Sequence, residues 1–81
     1  MIDGKTITKG NGLKAEDCAV IAQAMSRFKS EAYLIRGNTK INAKSIMGLI
    51  SLNVKQGDSL YIVCEGVDEE AACKRLSELL D

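Results

Sequence analysis

The feature that most constrains the fold is a change of period at Ser30. Over 15–28 the apolar side chains recur at Cys18, Ile21, Ala22, Met25 and Phe28. That i, i+3, i+4, i+7 spacing places them on one stripe of an α-helix. Glu16 and Asp17 fall in its first turn and Arg27 and Lys29 in its last, the signs that a helix macrodipole favours. From Ser30 to Arg36 the repeat drops to two, with Ala32 and Leu34 on one side and Tyr33 and Ile35 on the other, which is the pattern of a strand. A helix with one apolar stripe and a strand with one apolar face each need a covering layer, and each can supply it to the other.

The remaining chain repeats these two periods in short pieces. Residues 2–8 read as a first strand, rich enough in β-branched side chains to extend. Lys9-Gly10-Asn11-Gly12 follows as a turn. Gly37-Asn38 is a two-residue hairpin signal leading into a third strand over 39–43, with Ile41 and Ala43 on one face. After the turn Lys55-Gln56-Gly57-Asp58, a fourth strand runs from Ser59 to Glu65, with Leu60, Ile62 and Cys64 inward and Tyr61 and Val63 outward. Gly66 breaks it. Asp68 is placed to cap a last helix whose stripe is Ala72, Cys73, Leu76, Leu79 and Leu80, with Glu69 and Glu70 in its first turn. The order β-α-β-β-α-β-α predicts one α+β domain over 1–81, an open-faced two-layer sandwich. All three helices should cover one side of a mostly antiparallel sheet. The outer sheet face (Tyr33, Ile35, Tyr61, Val63) is expected to meet solvent and is apolar enough to serve as a contact surface.

The stretch Asn42-Ala43-Lys44-Ser45-Ile46-Met47-Gly48-Leu49-Ile50-Ser51-Leu52 carries the second helix, about two turns long. Ser45 is a good N-cap residue. At roughly 100° per residue, Ile46, Met47 and Ile50 share one arc, while Leu49 and Leu52 fall on another. A thin helix on a sheet buries only one arc. The other becomes an exposed apolar patch beside the capping hydroxyl, of the kind that marks a partner site. The competing arrangement has both arcs covered within a small core.

Composition narrows the function. Eleven basic and eleven acidic residues give zero net charge, which argues against electrostatically driven binding to nucleic acid or membrane. No apolar run approaches a membrane span and no signal-peptide pattern opens the chain, so a cytoplasmic location is expected. Cys18, Cys64 and Cys73 are an odd count without CxxC spacing and read as reduced core thiols. Cys18 stands near a helix start, where a thiol pKa can fall, but Glu16 and Asp17 would raise it. There is no histidine. Its absence removes the usual general base, metal ligand and phosphoryl acceptor, so neither catalysis, a metal nor a cofactor is expected.

Several local sequences resemble the HPr family, the phosphocarriers of the bacterial sugar phosphotransferase system. They are Asn11-Gly12-Leu13 before the first helix, Phe28-Lys29-Ser30-Glu31 after it, 42–49 in the middle, and Glu65-Gly66-Val67-Asp68-Glu69-Glu70-Ala71. The resemblance covers essentially the whole chain, and the middle segment looks most like Crh, the regulatory branch without a phosphorylatable histidine. It implies strand order 1-4-2-3. The family's phosphocarrier motif reads Gly-Leu-His-x-Arg-Pro, and the same six places here are Gly12, Leu13, Lys14, Ala15, Glu16 and Asp17. An ammonium with an ordinary pKa near 10.4 has no free lone pair at neutral pH, and Glu16 in the arginine's place repels phosphate. The resemblance also implies that Ser45 is the site modified by the HPr kinase/phosphorylase. The phosphoprotein would then bind a LacI-type regulator through Leu13, Ile46, Met47 and Ile50. The loss of the family's arginine, which also contacts the regulator, counts against that role. The alternative is a decoy that docks enzyme I or a sugar permease without transferring phosphate.

Overall fold

The computed structural model describes residues 1–81. Its elements are β1 (Ile2–Thr6), α1 (Ala15–Met25), β2 (Glu31–Arg36), β3 (Thr39–Asn42), α2 (Ile46–Leu52), β4 (Ser59–Glu65) and α3 (Glu69–Leu79). The strands form one sheet in the order β1-β4-β2-β3, and every adjacent pair is antiparallel. The predicted architecture and strand order are both present. Its physical basis is one shared core. Cys18, Ile21, Ala22 and Met25 of α1, Leu49 and Leu52 of α2, and Ala72, Cys73 and Leu76 of α3 pack with Ala32, Leu34, Leu60, Ile62 and Cys64 of the sheet. Burying those apolar groups together is the main force that holds the two layers.

The edges of the elements differ from expectation in instructive ways. The first helix stops at Met25, not Phe28, so Arg27 and Lys29 lie beyond its last turn. Ser26 is its C-cap: its N–H donates to the Ala22 carbonyl at 3.0 Å and its Oγ to the same carbonyl at 2.7 Å. Phe28 still packs against the core from the following turn. The first strand ends at Thr6, yet Ile7 is buried and keeps sheet-like bonds, its N–H to the Asp58 carbonyl at 2.9 Å and its carbonyl from the Gly57 N–H at 2.8 Å. Val63, expected at the surface, is only 7% exposed. It sits on a central strand, directly between Ile2 of β1 and Tyr33 of β2, and those larger neighbours cover it. Tyr61, on the same face, stays 58% exposed because Gly4 stands opposite it on β1.

Asp68 holds the N-cap position of α3 but makes no cap bond with its side chain. Its carboxylate reaches instead to the α1–β2 connection, accepting the Lys29 N–H at 2.9 Å, the Ser30 N–H at 2.8 Å and the Ser30 hydroxyl. Ser30 is fully buried, and this carboxylate satisfies it. The Ser30 hydroxyl and the Lys29 N–H hold the Asp68 carboxyl down at about 2, since hydrogen bonds to the charged form favour it. Gly66 makes the approach feasible. Its φ is +150°, and a Cβ there would lie 2.6 Å from the Ser30 Cα.

The three cysteines are free and buried. Burial raises the Cys18 thiol, with Asp17 adding to it. Burial and the adjoining Cys73 thiol push Cys64 up to about 11. All three behave as small core hydrophobes.

Candidate functional site

The site is built on α2. Asn42 prepares its start: the Asn42 carbonyl accepts the Ser45 N–H at 3.0 Å and its side-chain oxygen accepts the Lys44 N–H at 2.8 Å. Ser45 is extended (φ −104°, ψ 115°), and its Oγ accepts the Gly48 N–H at 3.0 Å. It is therefore the N-cap that its place in the sequence predicts, satisfying one of the orphan donors at a helix start.

The two arcs of α2 separate as one inner and one outer. Leu49 and Leu52 are buried. Ile46 is 44%, Met47 70% and Ile50 42% exposed. A seven-residue helix thus presents three large apolar side chains to solvent beside a half-buried hydroxyl. Leu13, the fourth residue expected on this surface, is half-buried and packs against the core. It offers only part of its side chain outward.

Several positioning features had no signal in the hydrophobic pattern. Arg36, at the end of β2, braces the far end of α2. Its Nη2 donates to the Leu52 carbonyl at 2.7 Å and its Nη1 to Asp58 Oδ2 at 2.8 Å. Asn53, left-handed at φ 52°, closes the helix, its N–H returning to the Ile50 carbonyl. Lys44 Nζ donates to the Phe28 carbonyl at 2.9 Å, tying the start of α2 to the α1–β2 connection. Gly48 leaves room over Ser45: a Cβ there would stand 3.3 Å from the Ser45 Oγ.

The start of α1 is a different kind of helix end. Gly12 has φ +63°, and a Cβ on it would lie 2.1 Å from the Val54 carbonyl oxygen. The loop lies directly on the segment after α2, and the Leu13 N–H donates to that same carbonyl at 3.0 Å. Lys14 and Glu16 are exposed. Lys14 takes no part in the ion pairs, which join Met1 with Glu69, Lys5 with Asp81 and Arg36 with Asp58. Asp17 Oδ2 accepts the Lys14 N–H at 2.9 Å, so it serves as a local cap. The end carries two carboxylates in its first turn, whereas the first turn of α2 carries none.

A four-stranded antiparallel sheet in the order 1-4-2-3 with three helices over one face is the HPr sandwich. A family model described as "PTS HPr component phosphorylation site" matches residues 5–81. The chain belongs to the HPr family. Among curated proteins it is 41% identical to the HPr-like protein Crh of Bacillus subtilis over 66 residues, covering 82% of this chain and 78% of Crh. It is 43% identical to the phosphocarrier protein HPr of Treponema pallidum over 68 residues, covering 84% of this chain and 77% of that protein. The crystal structure of HPr from Bacillus anthracis superposes with a TM-score of 0.94 at 31% identity, covering 100% of this chain and 96% of that one. A Crh crystal structure from Bacillus subtilis, described as a domain-swapped dimer, gives 0.79 at 36% identity over 91% of this chain and 85% of that one. No helix is long and apolar enough to cross a membrane.

Proposed function

We propose that this chain is a regulatory binding module of the HPr and Crh type, not a phosphate relay or an enzyme, working in the cytoplasm on protein partners through Ser45 and the surface of Ile46, Met47, Ile50 and the exposed part of Leu13. The observation that carries the reading is the pairing of a capping hydroxyl with an exposed apolar arc at the start of α2. A phosphate on Ser45 would sit at a helix end with no carboxylate in its first turn, where the dipole and backbone N–H groups favour negative charge. Gly48 carries no side chain to crowd the hydroxyl, since a Cβ there would stand 3.3 Å from the Ser45 Oγ. The neighbouring apolar side chains supply burial for a partner, with the phosphate as the switch.

Relay from the start of α1 has no acceptor. Lys14 takes the place of the family's histidine and Glu16 that of its arginine, so this end presents an ammonium among acids where the family's phosphocarrier motif has an imidazole. Enzyme I charged with phosphoenolpyruvate should leave Lys14 unlabelled.

The experiment is incubation of the chain with an HPr kinase/phosphorylase and ATP, followed by mass spectrometry and by binding to a LacI-type regulator. The expected result is one phosphate, on Ser45, and regulator binding only after it is added. No phosphate on Ser45, together with measurable binding to enzyme I, would favour a decoy of the phosphotransferase system instead.

A further inference from the structure

The molecule's one marked concavity lies between α1 and α3, with no residue of α2 in its lining. Val20, Gln23, Ala24 and Arg27 of α1 and its continuation, Phe28 just beyond, and Arg75 of α3 line a groove of about 350 Å³. Three of these groups are apolar and two are guanidiniums supplied by different segments. No acidic side chain lines it. Neither arginine joins any of the three ion pairs of the molecule. Arg36, the remaining arginine, has both a carboxylate and a carbonyl. The contrast matters because the chain holds equal numbers of acids and bases. Two cations line one groove with no acidic residue in its wall, a local excess of positive charge in a chain whose charges otherwise balance.

We infer that this groove is a binding site for a small organic dianion with an apolar body, such as an aryl phosphate monoester. The argument has three parts. The charge calls for an anion, and two planar guanidinium forks suit the oxygens of a phosphate or carboxylate. The Val20, Ala24 and Phe28 wall calls for hydrocarbon or an aromatic ring, which inorganic phosphate lacks. The dimensions call for a small molecule. A volume near 350 Å³ falls in the range of small-ligand sites. The site is independent of Ser45: it uses α1 and α3, whereas the regulatory surface uses α2.

The test is titration of the isotopically labelled full chain by NMR, with phenyl phosphate as the probe and inorganic phosphate, benzyl alcohol and an acidic peptide as comparisons. Saturable shifts are expected at Gln23, Ala24, Arg27 and Phe28 at low millimolar phenyl phosphate, with no coherent shifts at Ile46 or Met47. Inorganic phosphate and benzyl alcohol should each bind more weakly, since each offers only one of the two features. Arg27→Gln and Arg75→Gln are exposed substitutions that leave the fold intact, and each should weaken binding about fivefold. Affinity should fall below about pH 6, where a phosphate monoester becomes a monoanion. Absence of saturable shifts, shifts unaffected by both substitutions, or binding of the acidic peptide alone would each overturn the inference.

Discussion

The two helix starts that face the α1–α2 side of the molecule are built on opposite principles. At α1, Glu16 and Asp17 bring the negative charge with them, and Asp17 already accepts the Lys14 N–H. At α2, no acid occupies the first turn, and the only side-chain cap is the neutral Ser45 hydroxyl. A helix start that supplies its own carboxylates has little to gain from a phosphate, while one capped by a hydroxyl still does. The difference locates where a charge could be added to this chain.

The largest break in this comparison should come from Gly12. Gly12→Ala puts a Cβ 2.1 Å from the Val54 carbonyl, in a left-handed backbone position. It should cost about 3 kcal/mol or more by urea unfolding, because the loop before α1 and the segment after α2 can no longer stay in contact. Met47→Asp tests the other end. Met47 is 70% exposed, so stability should move by less than about 0.5 kcal/mol. On the proposed function, affinity of the Ser45-phosphorylated chain for a LacI-type regulator should nevertheless fall about tenfold, from loss of an apolar contact and addition of a charge beside the phosphate. An unchanged affinity would show that the apolar arc is not the contact.

Ser45→Ala separates cap from switch. It should lower stability by about 1 kcal/mol and abolish phosphorylation by the kinase, whereas Ser45→Asp should retain the cap without creating a substrate. The smallest effect is expected at the α1 start. Asp17→Asn should cost only a few tenths of a kcal/mol, because the amide oxygen can still accept the Lys14 N–H.

Acid titration adds a check on the frame that carries both ends. The Asp68 carboxyl is held at about 2, below the value near 3.9 of an unfolded chain. Its stabilisation is complete above pH 4 and is lost as the pH falls from about 4 through about 2. Asp68→Asn should remove that portion of the acid limb in a pH series of thermal unfolding. It should also expose amide exchange at Ser30, whose N–H loses a charged acceptor.

Most of the fold was legible because periodicity reports which side of each element is buried. The stripe from Cys18 to Met25 and the alternation from Ala32 to Ile35 specify inner faces without reference to any distant residue. For α2 the 100° geometry separated two arcs but left open whether both were covered; the structure buries Leu49 and Leu52 and exposes Ile46, Met47 and Ile50. What escaped were long-range polar contacts. Asp68 has the local signature of a cap, but its carboxylate is taken by Ser30, 38 positions away. Arg36 reads as a strand-end cation, yet it holds the last carbonyl of α2. Val63 alternates as an outward residue, but residues paired with it on both sides cover it. Each miss depends on a partner distant in sequence, and local pattern contains no record of it. The role expected of Ser45 came from resemblance to the HPr family; the structure adds the cap geometry and the exposed arc to it.

Arg36 has one further consequence. Its fork fastens the last turn of α2 to the β2 end and to Asp58, while Asn42 and Lys44 fasten the first. Both ends of this two-turn helix are thus tied to neighbouring elements. Whatever docks on Ile46, Met47 and Ile50 meets a surface already in its bound shape, so little of the attraction is lost to ordering the receptor. Docking onto a preformed surface therefore suits this helix better than induced refolding.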